Sequence, residues 1–220
     1  MNGAKLARTG AALTVVLAVI GGMLAAVIGC TRRQLPGRMT NVAGLVAPLK
    51  FHMTDQGGAP VSATSFRGDA VLLYFGYTHC TDECPTTLAT LADALQRLGP
   101  QANLVRVLFV TVDPRRDTEP VLRRYVSDFG PQFVGLRGTS AQLTRMIKRY
   151  RVTYTYQKPY PRGDYQVGHS SAVFIFGPDG RARLLAQNGA PARIIAADLR
   201  HLLPARYAAG HEHGDPPAGI

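Results

Sequence analysis

Cysteine is scarce in this chain: 220 residues hold three, Cys30, Cys80 and Cys84. Three cysteines cannot build a disulfide framework, so the fold must rest on a hydrophobic core. The odd count in an exported chain needs explaining, and setting Cys30 aside leaves Cys80 and Cys84 as one isolated pair. Such a pair in an oxidising compartment points to function rather than stapling. Internal repeats are absent, which excludes solenoid and propeller architectures. Lysine is scarce too, with 21 arginines against 4 lysines, and the basic residues are scattered rather than massed in a block. The net charge of +11 suits anionic lipid headgroups, an acidic protein surface or a plainly solvated exterior. Nucleic acid is a poor partner for an exported protein.

Long apolar runs are missing except at the N-terminus. Lys5 and Arg8 precede an apolar stretch, 11–28, interrupted only by Thr14 and glycines. It exceeds the ~7–15 residues of a usual signal core and approaches the ~20 of a membrane span. The stretch ends in Val27-Ile28-Gly29-Cys30, which resembles a bacterial lipoprotein signal. Residues 1–29 are therefore expected to be a signal peptide or an uncleaved anchor, with Cys30 the lipidation site in the first case. Both place the remainder in the bacterial cell envelope, on the periplasmic side of the inner membrane. Residues 30–47 are expected to be a tether, 48–203 one globular domain, and 204–220 a disordered His/Pro/Gly tail.

Within the domain, 49–54 alternates as a strand and turns through Gln56-Gly57-Gly58 into a short partner at 59–62. Residues 71–75 and 105–112 read as buried strands. Leu88, Leu91, Leu95 and Leu98 fall at helical spacing, as do Val121, Leu122, Tyr125, Val126 and Phe129. Residues 133–136 suggest a short strand, and Ser140 is expected to cap a third helix bearing Leu143, Met146, Ile147 and Tyr150. Residues 152–156 extend, 158–168 read as a loop, 172–176 and 183–186 form a hairpin through Pro178-Asp179-Gly180, and a last helix covers 191–203. This order predicts an α/β fold: a thioredoxin-like central mixed sheet flanked by helices, with an N-terminal β-hairpin extension.

The chemistry concentrates in Leu73-Tyr-Phe-Gly-Tyr-Thr-His-Cys80-Thr-Asp-Glu-Cys84-Pro-Thr-Thr-Leu88. Pro85 suits the first turn of a helix starting at Cys84 or Pro85, which leaves Cys80 in the preceding loop. A helix N-terminus favours thiolate over thiol. On regular helix this four-residue spacing would hold the Cβ atoms ~5–6 Å apart, beyond the ~3.5–4.5 Å of a disulfide. A loop can relax that, so disulfide and metal both stay open. His169 precedes the hairpin strand, where thioredoxin-like oxidoreductases usually carry a cis-proline, and this chain has no proline between Pro161 and Pro178. Two thiolates and an imidazole suit copper, Cu(I) or Cu(II), or zinc with a fourth ligand. His79 is expected to point away from Cys80, and Asp82 and Glu83 add negative charge nearby. His52 and His201 have no companion ligands, and the tail pair His211 and His213 is an incidental candidate for divalent metal.

Several separated motifs resemble the SCO/SenC family: Tyr74-Phe-Gly-Tyr-Thr-His-Cys80, Cys84-Pro-Thr-Thr-Leu, Val112-Asp113-Pro114 with Arg116-Asp117-Thr118, Phe133-Val-Gly-Leu, and Val167-Gly-His169-Ser170. The resemblance covers about 49–203. It implies a membrane-tethered copper metallochaperone with ligands Cys80, Cys84 and His169, assembling the CuA centre of cytochrome c oxidase. Expected partners are the oxidase copper-site subunit, another copper chaperone as donor, and the membrane. The rival is a thiol–disulfide oxidoreductase that reduces the client's cysteines, with Cys80 attacking. A peroxidase reading is disfavoured by the paired cysteines. Thr81 and Glu83 depart from the family's usual residues, and Gly168 stands where it usually has aspartate. Asp113 is the candidate carboxylate supporting the site.

Overall fold

The computed structural model describes residues 39–158 and 165–204. In chain order the strands are β1 (Thr40–Asn41), β2 (His52–Asp55), β3 (Pro60–Ser62) and β4 (Ala70–Gly76), followed by helix α1 (Glu83–Leu98) and β5 (Val105–Thr111). Next come α2 (Glu119–Ser127), β6 (Phe133–Arg137), α3 (Ser140–Tyr150) and the short strands β7 (Tyr154–Tyr156) and β8 (Val167–His169). Strands β9 (Val173–Phe176) and β10 (Ala182–Ala186) and helix α4 (Ala192–Arg200) complete it. Eight strands form one mixed sheet in the order β1-β10-β9-β4-β5-β6-β2-β3, while β7 and β8 pair separately. This is the thioredoxin-like arrangement, with the β2–β3 hairpin added beyond β6.

All seven residues of β4 are buried, which explains the unbroken apolar run at its centre. It pairs in parallel with β5 and antiparallel with β9. The crossovers β4–α1–β5 and β5–α2–β6 step in the same direction across the sheet, so their shared handedness puts both helices on one face. Side chains agree. Tyr74 packs on Phe109, Phe109 on Tyr125 of α2, and Cys84 of α1 lies against Gly76. The connection through α3 returns to the far side of β4 on the opposite face, where Tyr150 packs on Phe75, Phe174 and Phe176.

Helix α1 buries Cys84, Leu88, Leu91, Ala94, Leu95 and Leu98, an apolar stripe at three- and four-residue spacing. Gly99 ends it at φ +59°, which a side chain would disfavour. The helix begins at Glu83, one residue before the expected start, with Cys84 and Pro85 in its first turn. Helix α3 is capped by Thr139 rather than Ser140: the Thr139 hydroxyl accepts from the Gln142 N–H, and the Gln142 side chain returns to the Thr139 N–H.

Two expectations are corrected. The tether reading fails for 39–42, because Met39 and Val42 are buried, β1 pairs with β10, and Asp198 accepts from the Met39 N–H at 2.8 Å. A two-residue strand lacks a periodic signal, so only this pairing reveals it. The loop reading of 158–168 fails at its end, where β8 pairs with β7 and places Tyr154 opposite His169. Residues 1–38 with Cys30, and the tail histidines His211 and His213, lie outside the described residues. Among the described residues, no helix is long and apolar enough to cross a membrane.

Candidate metal centre

The site lies where β4 ends at the C-terminal edge of the parallel strands. Cys84 is fully buried in the first turn of α1, and Cys80 is half-buried in the loop before it. Asp82, at the helix N-cap, makes no side-chain capping bond. The Cys80 Sγ takes that place, accepting from the Cys84 N–H at 3.3 Å. Gly76 makes room for the second sulfur: a Cβ there would stand 2.8 Å from the Cys84 Sγ and 2.7 Å from the Phe109 ring.

His169 arrives on β8. The small β7–β8 sheet is tied down at several points. The Tyr156 hydroxyl donates to the Val112 carbonyl at 2.7 Å, the Tyr165 hydroxyl to Asp113 at 2.9 and 3.0 Å, and the Tyr77 hydroxyl to the Gln166 side chain. These bonds hold the imidazole over the cysteines between two rings, Tyr74 at 6.0 Å and Tyr77 at 5.8 Å, both edge-on. His169 Nδ1 lies 3.1 Å from the Ser170 carbonyl, which can only accept. Nδ1 therefore carries the proton, and the Nε2 lone pair faces the Cys84 Sγ at 3.2 Å.

The ligand atoms of Cys80, Cys84 and His169 all lie within 4.8 Å of one another. Donors sharing an ion at bonds of ~2.0–2.3 Å stand at most ~4.6 Å apart, so small side-chain adjustments suffice. Both cysteines are free thiols. A hydrogen bond from Cys84 lowers the Cys80 pKa to about 4, helped by the Cys84 and Asp82 N–H groups against the cost of burial. The partner moves the other way: the bond to Cys80 and then burial raise the Cys84 thiol. The opposed shifts make Cys80 the sulfur that favours thiolate and Cys84 the one that favours thiol. Burial likewise raises Tyr74, whose hydroxyl stays protonated and lies 3.7 Å from the Cys84 Sγ as donor.

The structure brings Cys80, Cys84 and His169 together and leaves the other candidates out. His79 sits 3.1 Å from the Thr78 hydroxyl and 3.7 Å from Asp117, outside the cluster. Glu83 is held by Asn188 at 2.8 Å. His52 is exposed on β2, and His201 caps α4 at its C-terminal end. Asp113 does not support the imidazole directly. It is fully buried, pairs with Arg116 at 2.5 Å and anchors Tyr165, so its link to His169 runs through the β7–β8 sheet. Gly168 is exposed, and a Cβ placed there would have Thr155 O at 3.9 Å as its nearest neighbour, so an aspartate would meet open space.

Sequence reasoning assigned no role to Asp117. Fully buried, it accepts from the Thr78 N–H at 3.0 Å, the Thr78 hydroxyl at 2.6 Å and the Thr111 hydroxyl at 2.5 Å. It thereby fastens the loop carrying Cys80 to the end of β5. The signal available was its place in the Arg116-Asp117-Thr118 motif, and its burial depends on the fold.

Comparison with known proteins agrees with this geometry. The SCO1/SenC family model matches residues 45–204. The mitochondrial SCO2 homolog of Bos taurus is 42% identical over 132 residues, 59% of this chain and 50% of that protein. The chain thus spans about half the length of the curated relatives it matches. The solved structure of Bradyrhizobium japonicum ScoI with copper bound is 35% identical, covering 72% of this chain and all of that one, at a TM-score of 0.66. BsSco, described as having a disulfide switch and as a member of the Sco family of cytochrome c oxidase assembly proteins, is 25% identical over 72% of this chain and 96% of its own, at 0.55. These relatives correct one expectation: the cattle and human proteins are mitochondrial, so the bacterial periplasmic location read from the N-terminal segment does not stand. With the family model covering most of its length and the fold shared with solved Sco structures, the chain belongs to the SCO1/SenC family.

Proposed function

We propose that the chain binds one copper ion through Cys80, Cys84 and His169 and delivers it to the copper-site subunit of cytochrome c oxidase. The observation that carries this reading is the convergence of two sulfurs and a lone-pair-bearing Nε2 within 4.8 Å. That donor set suits copper: the sulfurs favour Cu(I), and the imidazole helps hold Cu(II). Among the described residues no fourth His, Cys, Asp or Glu joins the cluster, whereas a structural zinc site uses four ligands. The copper-bound Bradyrhizobium structure and the assembly role named for BsSco support the same reading. Cys80 is the more exposed sulfur and already a thiolate, so exchange with a donor chaperone or the client begins there, while Cys84 and His169 retain the ion. The apolar stretch 11–28 supports a membrane tether that keeps the domain near its client.

The test is a copper titration of the reduced chain against a competing chelator. One ion per chain is expected, with affinity lost in Cys80→Ser, Cys84→Ser and His169→Ala. Undiminished affinity in His169→Ala would overturn the assignment.

The asymmetry of the cysteines favours a second reading, reduction of the client's disulfide. The Cys80 thiolate attacks one client sulfur, forming a mixed disulfide and releasing the other as a thiolate. Cys84 then loses its proton and attacks the Cys80 sulfur, closing a Cys80–Cys84 disulfide and releasing the second client thiol. Two electrons pass to the client. Cys84→Ser should trap the mixed disulfide with an oxidised client subunit, and failure to trap removes this reading.

A further inference from the structure

Away from the metal centre, a cavity of about 320 Å³ opens between the strand leading into β2 and helix α3. Lys50, His52, Arg145 and Arg149 line it, Phe51 and Met146 provide a buried apolar floor, and no carboxylate faces it. Several arginines of the fold have a carboxylate partner: Arg97 with Asp93, Arg106 with Asp69, Arg116 with Asp113, Arg137 with Glu119, and Arg183 with Asp179. Lys50, Arg145 and Arg149 have no carboxylate partner among the described residues.

The walls are held in place. The Arg149 guanidinium donates twice to the Pro48 carbonyl, at 3.1 and 2.9 Å, and the Tyr150 hydroxyl reaches the same oxygen at 3.3 Å. The Lys50 N–H donates to that hydroxyl at 3.0 Å. The segment before β2 is thus clamped to α3, which fixes the Arg149 guanidinium and the backbone that carries Lys50 beside the helix that carries Arg145. Three cations sharing one small opening repel each other, which an anion between them relieves. Two nearby guanidinium groups suit the oxygens of a phosphate, and the apolar floor suits a carbon group attached to it. The volume matches a small-ligand pocket.

We propose that this groove is an anion site that takes a phosphate-bearing ligand, either a free phosphate compound or the headgroup of an anionic lipid. The site is separate from the copper ligands and does not depend on the copper reading.

Two assays on the full chain distinguish the sources, each run on wild type, Lys50→Gln/Arg145→Gln and the equal-charge control Lys148→Gln/Arg193→Gln. The first titrates inorganic phosphate and follows backbone amide resonances of 49–52 and 142–149. The second measures partition onto phosphatidylcholine vesicles with and without phosphatidylglycerol, so that any binding through the N-terminal apolar stretch is common to all variants. A lipid source predicts that the phosphatidylglycerol-dependent gain falls about 25-fold in the groove variant, at about fivefold per cation, and much less in the control. A free-phosphate source predicts resonance shifts confined to the groove and lost in that variant, without the vesicle effect. Equal losses in groove and control variants, or no loss in either assay, overturn the proposal.

Discussion

Replacing Gly76 by alanine tests whether the Cys84 sulfur is as tightly enclosed as its surroundings indicate. A methyl group there would stand 2.8 Å from the Cys84 Sγ and 2.7 and 3.2 Å from two Phe109 ring atoms. Ordinary carbon contacts begin at about 3.5 Å, so roughly 0.7 Å must be recovered on each side. Neither neighbour has room. Phe109 is fully buried between Tyr74 and Tyr125, and the Cys84 Sγ is bounded by the Tyr74 hydroxyl at 3.7 Å and His169 Nε2 at 3.2 Å. Overpacking of this kind costs about 1–3 kcal/mol. At about 2–4 °C per kcal/mol for a domain of this size, the melting temperature should fall by roughly 2–12 °C. Displacement of the sulfur should weaken copper binding as well. Thermal unfolding and a chelator competition read the two effects. Gly168→Ala is the internal comparison: its nearest neighbour would be 3.9 Å away at an exposed position, so stability should stay within about 0.5 kcal/mol. A Gly76→Ala chain with wild-type melting temperature and copper affinity would refute the packing argument.

The shared proton of the cysteine pair makes two pH predictions. With its pKa lowered to about 4, Cys80 should alkylate at a nearly constant rate from neutral pH down to about 5, while buried Cys84 is spared. Peptide mass spectrometry checks this, and a rate falling about tenfold per pH unit below pH 8 would contradict it. A depressed Cys80 stabilises the fold above its unfolded pKa and loses that contribution as pH falls through the folded value. The raised Cys84 has the opposite sign, contributing below its unfolded pKa and losing that contribution as pH rises beyond it. Reduced wild type should therefore gain stability relative to Cys80→Ser as pH climbs from about 4 toward 9, as read by denaturant midpoints. Asp117→Ala should cost about 3 kcal/mol or more, because it strands the Thr78 N–H and the Thr78 and Thr111 hydroxyls in a buried place. A loss under 1 kcal/mol in chemical unfolding would show that water replaces the carboxylate.

Much of the architecture was legible in the chain because burial imposes period. The unbroken run at β4 and the leucine stripe of α1 are each dictated by what they face, so strand and helix could be placed within a residue or two. Leu49, Phe51 and Met53 are all buried, as their alternation requires. The cysteine pair was legible because scarce residues at short spacing have few structural reasons to exist.

Other features have no local signature. Strands β1 and β8 are two and three residues long and owe their conformation to a partner, β10 at the other end of the domain for β1 and β7 across residues 157–166 for β8. Asp113 and Asp117 look alike in sequence, yet one anchors the tyrosine beside the histidine strand and the other pins the cysteine loop. Residue types, periods and the opening motif belong to the chain alone, since each follows from neighbours a few positions away. That the His169 ring meets the Cys84 sulfur from 85 residues away, and that Gly76 must be small to clear the Phe109 ring, are settled by tertiary structure: distances across the fold decide these contacts, and no short stretch of sequence contains them.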